Sequence, residues 1–404
     1  MDICIATGIY PPLEGGPSSL SFELAKKLMT NRNKVTIVTF HPDFKMTYGI
    51  DGRLTVLKLP QPKFGNEKSF NPIRFLFKLL IFTLGLLILK PLKHFKIIHA
   101  MDHNLAGIPS IIFTFFTRVP LVVRFPADWL FHVVDERGWK KSALKSQIVL
   151  KLQKLVLQLV KQIIVTTKYG VKLLTDYGIS KEKIIVIPNA VDINRFHPSR
   201  NKGKMKLQIG FKKTQMLILS VCRLHPSKRL DDLILAFTET NKMVKKDLHL
   251  LIAGSGPDLE RLKRIIKTAG INSNIVFLGQ VSNEKIHEIY QAVDLFVLPS
   301  SHETFGIAIL EAMASGVPTI VARSGGIVST FTDKKHCLMY EPGNITELKK
   351  TLYELITNAR SRELYAERAQ RMVVKKYSWD SIAQQTLALY VTSINDRKKV
   401  KHDL

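Results

Sequence analysis

In the stretch SHETFGIAILEAMASGVPTI, residues 301–320, two glutamates, Glu303 and Glu311, stand eight positions apart around the start of an apolar-periodic segment. The preceding DLFVLPSS reads as a buried strand ending in a loop, and HETFG then opens a helix that Gly316 and Pro318 terminate. On this reading the backbone N–H groups of Thr304, Phe305, Gly306 and Ile307 are donors that a helix start leaves without intrahelical partners. Such an end, with the helix dipole behind it, attracts phosphate, and Gly306 lets a ligand approach the backbone closely. Eight residues of helix advance roughly 12 Å, so one carboxylate lies at the phosphate end and the other about a nucleoside's length away. Carboxylates accept hydrogen bonds from vicinal hydroxyls. An object with phosphate between two polyhydroxyl units is a nucleotide-sugar, with Glu303 on the sugar and Glu311 on the ribose.

A second group lies in SVCRLHPSKRLDDLILAF, residues 220–237, where Arg223 and Lys228 stand five apart on a loop between a strand and a helix. The carboxyl ends of strands are where α/β sheets bind ligands. Two fixed cations there would neutralise a diphosphate and stabilise charge developing on it as a leaving group. A surface Arg and Lys with no ligand is the plain alternative. In LLIAGSGPDLERLKR, Gly254, Ser255 and Gly256 make a tight strand-to-helix turn with Pro257 near the first helical position. In YPPLEGGPSSLSFELAKKL, Gly15 and Gly16 follow the first strand, but the spacing is not the GxGxxG of dinucleotide sites. His99 and His103, in HAMDH, have a metal-like spacing but no evident third ligand, so they are read as lining a cleft or packing.

These residues need a scaffold, and the rest of the chain reads as one. Short apolar runs alternate with helical patterns from end to end: DICIA, VTIVTF, LTVLKL, KIIH, LVVR, QIIVT and IIVI in the first half, then MLILSV, LHLLIA, IVFL, DLFVL and PTIV. The alternation predicts α/β architecture with parallel sheets, and two such series in 404 residues predict two doubly wound domains. PNAVDINRFHPSRNKGK, residues 188–204, lacks apolar period and reads as the linker. The expected domains are residues 1–190 and 200–378, with a helix at about 380–400 returning to the first; the charged tail DRKKVKHDL is expected to fray.

The chain carries 60 Lys and Arg against 33 Asp and Glu, a net charge of +27. Residues 1–200 hold 29 against 13, a balance of +16, and the remainder 31 against 20, or +11. Nucleic acid, an anionic membrane surface and phosphorylated small molecules are the partners such a balance suits, and a solvated basic surface is the plain reading. No RNP-like, zinc-finger or helix-turn-helix signature accompanies the charge, which argues against nucleic acid. Residues 75–89 are apolar apart from Lys78, Thr83 and Gly85, and are too short to span a bilayer. A buried crossover helix and an interfacial helix both fit them. Residues 140–161 read as a second basic-apolar helix, with six lysines and no acid. Cys4, Cys222 and Cys337 are scattered in apolar contexts without CxxC spacing, which suggests buried thiols in a reducing compartment. The N-terminal MDICIATGIYPP reads as a first strand rather than a leader, and cytoplasmic localisation is expected.

Taken in order, the glycine loop PPLEGGPSS, PNAVDINRFHP, RLHPSKR, AGSGPDLERLK, FLGQVSNEKIHEIYQAVDLFVLPS, the E-x7-E stretch and YSWDSIAQQTLALY resemble the retaining glycosyltransferases of family 4 over nearly the whole chain. The resemblance implies the GT-B fold, two Rossmann-like doubly wound domains facing across a cleft. It implies a UDP-, GDP- or ADP-sugar donor, no prosthetic group and no metal in the transfer. Arg223 and Lys228 would hold the diphosphate, Glu303 the donor sugar and Glu311 the ribose. Phe305, Gly306, Ile307 and Gly254 would line the donor, Val281 would lie by the base, and Gly16 near the phosphate–acceptor junction. The chain departs from the pattern in PLVVRFPADW, where many relatives carry a His; here Asp128 is the nearest polar residue. Asp128 would steer the acceptor hydroxyl or support positive charge at the anomeric carbon, or simply cap the following helix. The +16 balance of residues 1–200, the apolar segment 75–89 and the acid-free basic segment 140–161 lead to the expectation of a glycan or lipid-linked acceptor, met peripherally on the inner face of an anionic membrane, with a soluble sugar acceptor or a non-catalytic sugar-nucleotide binder as alternatives.

Overall fold

A computed structural model describes residues 1–8, 16–30, 32–41, 45–62, 71–90, 93–125, 144–270 and 274–402. The chain divides into two units, Met1–Pro188 with Trp379–Leu404, and Asn189–Ser378.

The first unit is built in chain order from β1 (Asp2–Ala6), α1 (Gly16–Thr30), β2 (Lys34–Phe40), β3 (Thr47–Asp51), β4 (Leu54–Leu59), α2 (Pro72–Leu89), β5 (Ile97–Ala100), α3 (Gly107–Thr117), β6 (Leu121–Arg124), α4 (Leu144–Leu159), β7 (Gln162–Val165), α5 (Lys168–Asp176) and β8 (Ile184–Val186). Its sheet runs β3-β4-β2-β1-β5-β6-β7-β8, parallel throughout except for the antiparallel β3–β4 pair. Strand residues alternate between faces. Cys4 and Ala6 of β1 and Val38 and Phe40 of β2 join Phe82 and Leu86 of α2, Phe113 of α3 and Leu157 of α4 in one apolar cluster. Residues 75–89 therefore lie within a helix with one side in the core, while Leu76, Leu80, Leu84 and Ile88 on its other side are exposed. Gly85 lets α2 sit tightly on β4, since a Cβ there would come 2.5 Å from Leu59 Cδ2.

The second unit follows with α6 (Lys202–Gln208), β9 (Met216–Val221), α7 (Leu230–Met243), β10 (Leu248–Ala253), α8 (Leu259–Ala269), β11 (Ile275–Gly279), α9 (Ile286–Ala292), β12 (Leu295–Leu298), α10 (Ile307–Ala314), β13 (Thr319–Ala322), α11 (Ile327–Thr330), β14 (Leu338–Tyr340), α12 (Ile345–Thr357) and α13 (Ala359–Lys376). Its sheet runs β11-β10-β9-β12-β13-β14, and its pairs are parallel. Leu217 and Leu219 of β9 face a cluster that includes Ile289 of α9, Ile309 of α10 and Ala369 of α13. Met216 and Ile218 face the other side, with Leu233 of α7, Leu262 of α8 and Leu352 of α12. Within the unit this order is the doubly wound one, first strand central, in which the strand order reverses between β9 and β12.

A last helix, α14 (Trp379–His402), returns to the first unit and packs on α1, β5 and β6. There the buried His99 of β5 places Nδ1 2.7 Å from the Tyr390 hydroxyl. Beside them the buried Arg124 donates from Nη2 to the carbonyls of Ile187 and Pro188, each at 3.2 Å. Burial, with the neighbouring Arg124 charge, pushes His99 down to about 3. The helix is continuous to His402 and so takes in most of the charged tail. Cys4 and Cys337 are buried and Cys222 is half-buried; all three are free thiols. No helix among the described residues is long and apolar enough to cross a membrane.

Candidate functional site

The switch point of the second sheet gathers four loops, those after β9, β10, β12 and β13. The loop after β9 carries Arg223, then His225, which caps a short 3₁₀ turn, Pro226–Lys228, by accepting from the Ser227 N–H at 3.3 Å. Arg229 ends the turn in the left-handed region, φ 49°. Its guanidinium holds Asp232 in the first turn of α7 bidentately, at 2.5 and 3.1 Å. That commits Arg229 to the fold. Lys228, one residue earlier, points to Glu303 in the loop after β12, Nζ to Oε2 at 2.9 Å. Arg223 is exposed. The lysine and glutamate side chains are only 21% and 16% exposed, so the pair is drawn partly out of water. The two loops are also joined by backbone, since the N–H of Ser301 donates to the Ser227 carbonyl at 2.9 Å.

Glu303 is fixed by the loop after β13. The N–H of Gly326 donates to the Glu303 carbonyl at 2.8 Å, and the buried Ser324 hydroxyl donates to the Ser300 carbonyl at 2.9 Å. Gly325, at φ 47°, lies so close that a Cβ would come 2.3 Å from the Glu303 carbonyl oxygen. This SGG segment was not singled out in the sequence; its glycines follow a strand, which is the one local signal it offers.

The helix after Glu303 begins later than the sequence suggested. Gly306, at φ 81°, turns the chain before α10 starts at Ile307. Ile309 and Leu310 bond back to the Gly306 carbonyl, so the N–H groups without an intrahelical acceptor are those of Ile307 and Ala308, not those of Thr304 and Phe305. The left-handed glycine breaks the helical path, which leaves Glu303 off the helix. The rise of eight helical residues therefore does not measure its distance from Glu311. Phe305 is buried, 2% exposed, with its ring edge-on to Tyr377 at 6.0 Å. Its side chain belongs to the core.

Glu311 sits one turn into α10 and is half-buried. It accepts from the hydroxyl of Tyr290 on α9 at 3.0 Å. Burial pushes its carboxyl up to about 7, against the Tyr290 hydrogen bond and the Arg195 charge. Arg195 lies in the segment read as a linker, and its Nε and Nη2 are buried without a hydrogen-bond partner. Neither Tyr290 nor Arg195 was singled out in the sequence; each approaches Glu311 only through the fold.

Gly254 supplies space. Its φ is 138°, and a Cβ would come 1.9 Å from the Cys222 carbonyl oxygen. Its own N–H already donates to Gly279 at 2.7 Å, while Leu224 donates to Ser255 at 2.9 Å. The GSG turn thus lets the loop after β10 lie against the one carrying Arg223. Val281, just beyond β11, is partly buried against the core cluster.

In the first unit, the switch point between β1 and β5 holds Asp102. Its carboxylate accepts from the N–H groups of Gly8, Asn104 and Ala106 at 3.2, 3.0 and 3.0 Å. Burial raises its pKa, and those backbone bonds oppose the rise. His103 is buried against Phe125, rings 4.9 Å apart, and burial pushes it down to about 4. Gly16 is the first residue of α1. Asp128 lies outside the described residues. Among the described residues no three His, Cys, Asp or Glu side chains converge as metal ligands.

The second unit therefore offers, at one sheet edge, a lysine–carboxylate pair, a second cation on the same loop and a helix start. That set suits an anion linked to hydroxyl-bearing groups. Comparison with known proteins bears on which one. The family model for Glycosyl transferases group 1 matches residues 201–372, and that for Glycosyltransferase Family 4 matches residues 14–195. Mannosylfructose-phosphate synthase of Agrobacterium fabrum is 34% identical over 228 residues, 54% of this chain and 49% of the relative. The chain thus spans about half the length of this curated relative. Among solved structures, sucrose-phosphate synthase from Thermosynechococcus elongatus superposes with a TM-score of 0.80 at 19% identity, covering 97% of this chain and 98% of the other. HepE of Anabaena, in complex with UDP-glucose, gives 0.75 at 20% identity, covering 97% and 100%.

Proposed function

Because the chain belongs to the family 4, group 1 glycosyltransferases and has their GT-B fold, we propose that it moves a sugar from a UDP-, GDP- or ADP-sugar to an acceptor with retention of anomeric configuration. The observation that carries this reading is the Lys228–Glu303 pair, 2.9 Å apart at the switch point of the second sheet. Arg223 and Lys228 bind the donor diphosphate, assisted by the N–H groups at the start of α10 beside Gly306. Lys228 changes partner as the phosphates arrive, which leaves the Glu303 carboxylate to accept from hydroxyls of the donor sugar. Glu311 accepts from the ribose hydroxyls, and Val281 borders the base.

In the transfer, the bond from the anomeric carbon to the diphosphate oxygen breaks and its electron pair stays on the diphosphate. The acceptor oxygen bonds to that carbon on the same face, and its proton passes to the departing diphosphate. Arg223 and Lys228 stabilise the charge that grows there, the work a divalent metal does in other transferases. In the first unit, Gly16 lies near the junction of donor phosphate and acceptor, and Asp128 steers the acceptor hydroxyl or supports positive charge at the anomeric carbon.

We take the acceptor to be lipid-linked or a precursor of a cell-surface glycan, reached from the cytoplasmic face of an anionic membrane. A soluble sugar acceptor is the second reading, favoured by the 34% identical relative, which is named for a sugar phosphate product.

A thermal-shift screen of nucleotide-sugars identifies the donor, and Glu303→Gln then tests the site. The variant should retain nucleoside diphosphate affinity and lose about 100-fold or more of turnover. Unchanged turnover under saturating donor would remove Glu303 from the reaction.

A further inference from the structure

We propose that the outer face of α2, α3 and α4 in the first unit is the surface that docks on an anionic lipid bilayer, lying in its headgroup region. The inference deepens the membrane reading above and rests on it. α3 packs between α2 and α4, so the three helices form one layer. Each spends one side on the core, through Phe82 of α2, Phe113 of α3 and Leu157 of α4. Each also keeps a second apolar side in solvent. Phe115 and Phe116 are 80% and 65% exposed, their rings edge-to-face at 5.4 Å. On the helices that pack against α3, Leu80 of α2 and Leu152, Leu155 and Leu159 of α4 are exposed too, those of α4 at helical spacing. An apolar area of this kind on a soluble surface marks an interaction site.

The charges decide the occupant. None of the residues of α2, α3 or α4 is Asp or Glu. Lys151 and Lys154 are exposed on α4, with Arg118 and Lys90 exposed where α3 and α2 end. A second copy docking face to face would set these cations against their own kind with no carboxylate on either helix layer to pair them. Acidic headgroups supply the missing sign, and the acyl boundary takes the aromatic and leucine side chains. Since no helix among the described residues can cross a membrane, the layer lies in the interface rather than through it. The sequence pointed to two of the helices by their composition. The structure adds α3, whose exposed aromatic pair no charge pattern announced.

The test is flotation of the full chain with phosphatidylcholine vesicles, with and without phosphatidylglycerol. Wild type should bind only the phosphatidylglycerol vesicles and be released by salt. Phe115→Ser with Phe116→Ser, and separately Leu152→Ser with Leu155→Ser, should each weaken binding by about tenfold or more, and Lys151→Glu with Lys154→Glu should weaken binding to the phosphatidylglycerol vesicles by at least as much. Donor hydrolysis without acceptor should be unchanged in all three, which shows that they fold and separates this test from that of the catalytic reading. Wild type that binds while all three variants bind equally well would place docking elsewhere and overturn this surface. Wild type that stays unbound at low salt would overturn the surface and the membrane reading together. A dimer by sedimentation velocity that the same variants dissociate, without vesicle binding, would make the face a contact between copies instead.

Discussion

In both sheets the strand order reverses between the central first strand and the neighbour on its other side, β1 and β5 in the first unit, β9 and β12 in the second. In the second, the gap is framed by backbone. Ser301 is tied to Ser227, Gly326 to Glu303 and Leu224 to Ser255, with Gly254 and Gly325 pressed onto neighbouring carbonyls. In the first, among the described residues, the framing centres on one side chain: Asp102 gathers the N–H groups of Gly8, Asn104 and Ala106. The difference teaches what each edge can tolerate. Loops joined through their main chains hold charged side chains in fixed places. That suits a ligand whose phosphates do not vary. A loop organised by one carboxylate can vary around it.

The sharpest way to break this comparison is a matched pair of glycine substitutions. Gly254→Ala forces a Cβ to 1.9 Å from the Cys222 oxygen at φ 138°, so denaturant melts should show the second unit destabilised by about 3 kcal/mol or more. For Gly8→Ala the three nearest atoms to the new Cβ are side-chain atoms of Leu105 and Asp102 at 3.2–3.3 Å, and the change should cost less than about 1 kcal/mol. Equal costs would mean that the two edges are built alike. Next in size, Arg223→Ala with Lys228→Ala should weaken binding of the free nucleoside diphosphate at least tenfold by calorimetry, each charge-assisted contact being worth about 1.5–3 kcal/mol. Wild-type affinity would put the phosphate site elsewhere.

A further test concerns pH. The carboxyl of Glu311 titrates at about 7 in the folded chain against an ordinary 4.5. The folded form thus holds this proton where the unfolded chain has lost it. Stability must fall as pH rises from about 4.5 through about 7 and level off above. Glu311→Gln should flatten that slope in thermal melts across the range. A slope identical to wild type would mean that the Tyr290 hydrogen bond and the Arg195 charge already offset burial.

Most strands were legible because burial on both faces leaves continuous apolar runs. The two that were not are informative. β3, TYGID, is exposed along its whole length, so it carries no apolar pattern. β14, LMY, has three residues, too short for any period to register. At the site, residue type and strand-end position sufficed to single out Lys228 and Glu303, which the structure brings together. The start of α10 was misplaced because Gly306 reads equally well as a helical or a left-handed residue until its φ is known. Tyr290, Arg195 and Gly325 were invisible for a different reason: each acts on a glutamate from another loop or helix, through a sheet order that no short stretch encodes.

The insertion of residues 189–378 into the first unit sets an order of assembly. A ribosome releases β1 to β8 first, yet Tyr390, which faces His99 and lies beside Arg124, arrives only after the whole second unit has been made. The second unit is contiguous and can close on its own as it emerges. Until α14 arrives, the earlier sheet waits with an arginine and a histidine uncovered on one face. Within this chain, β1 to β8 are thus made before the second unit and completed after it.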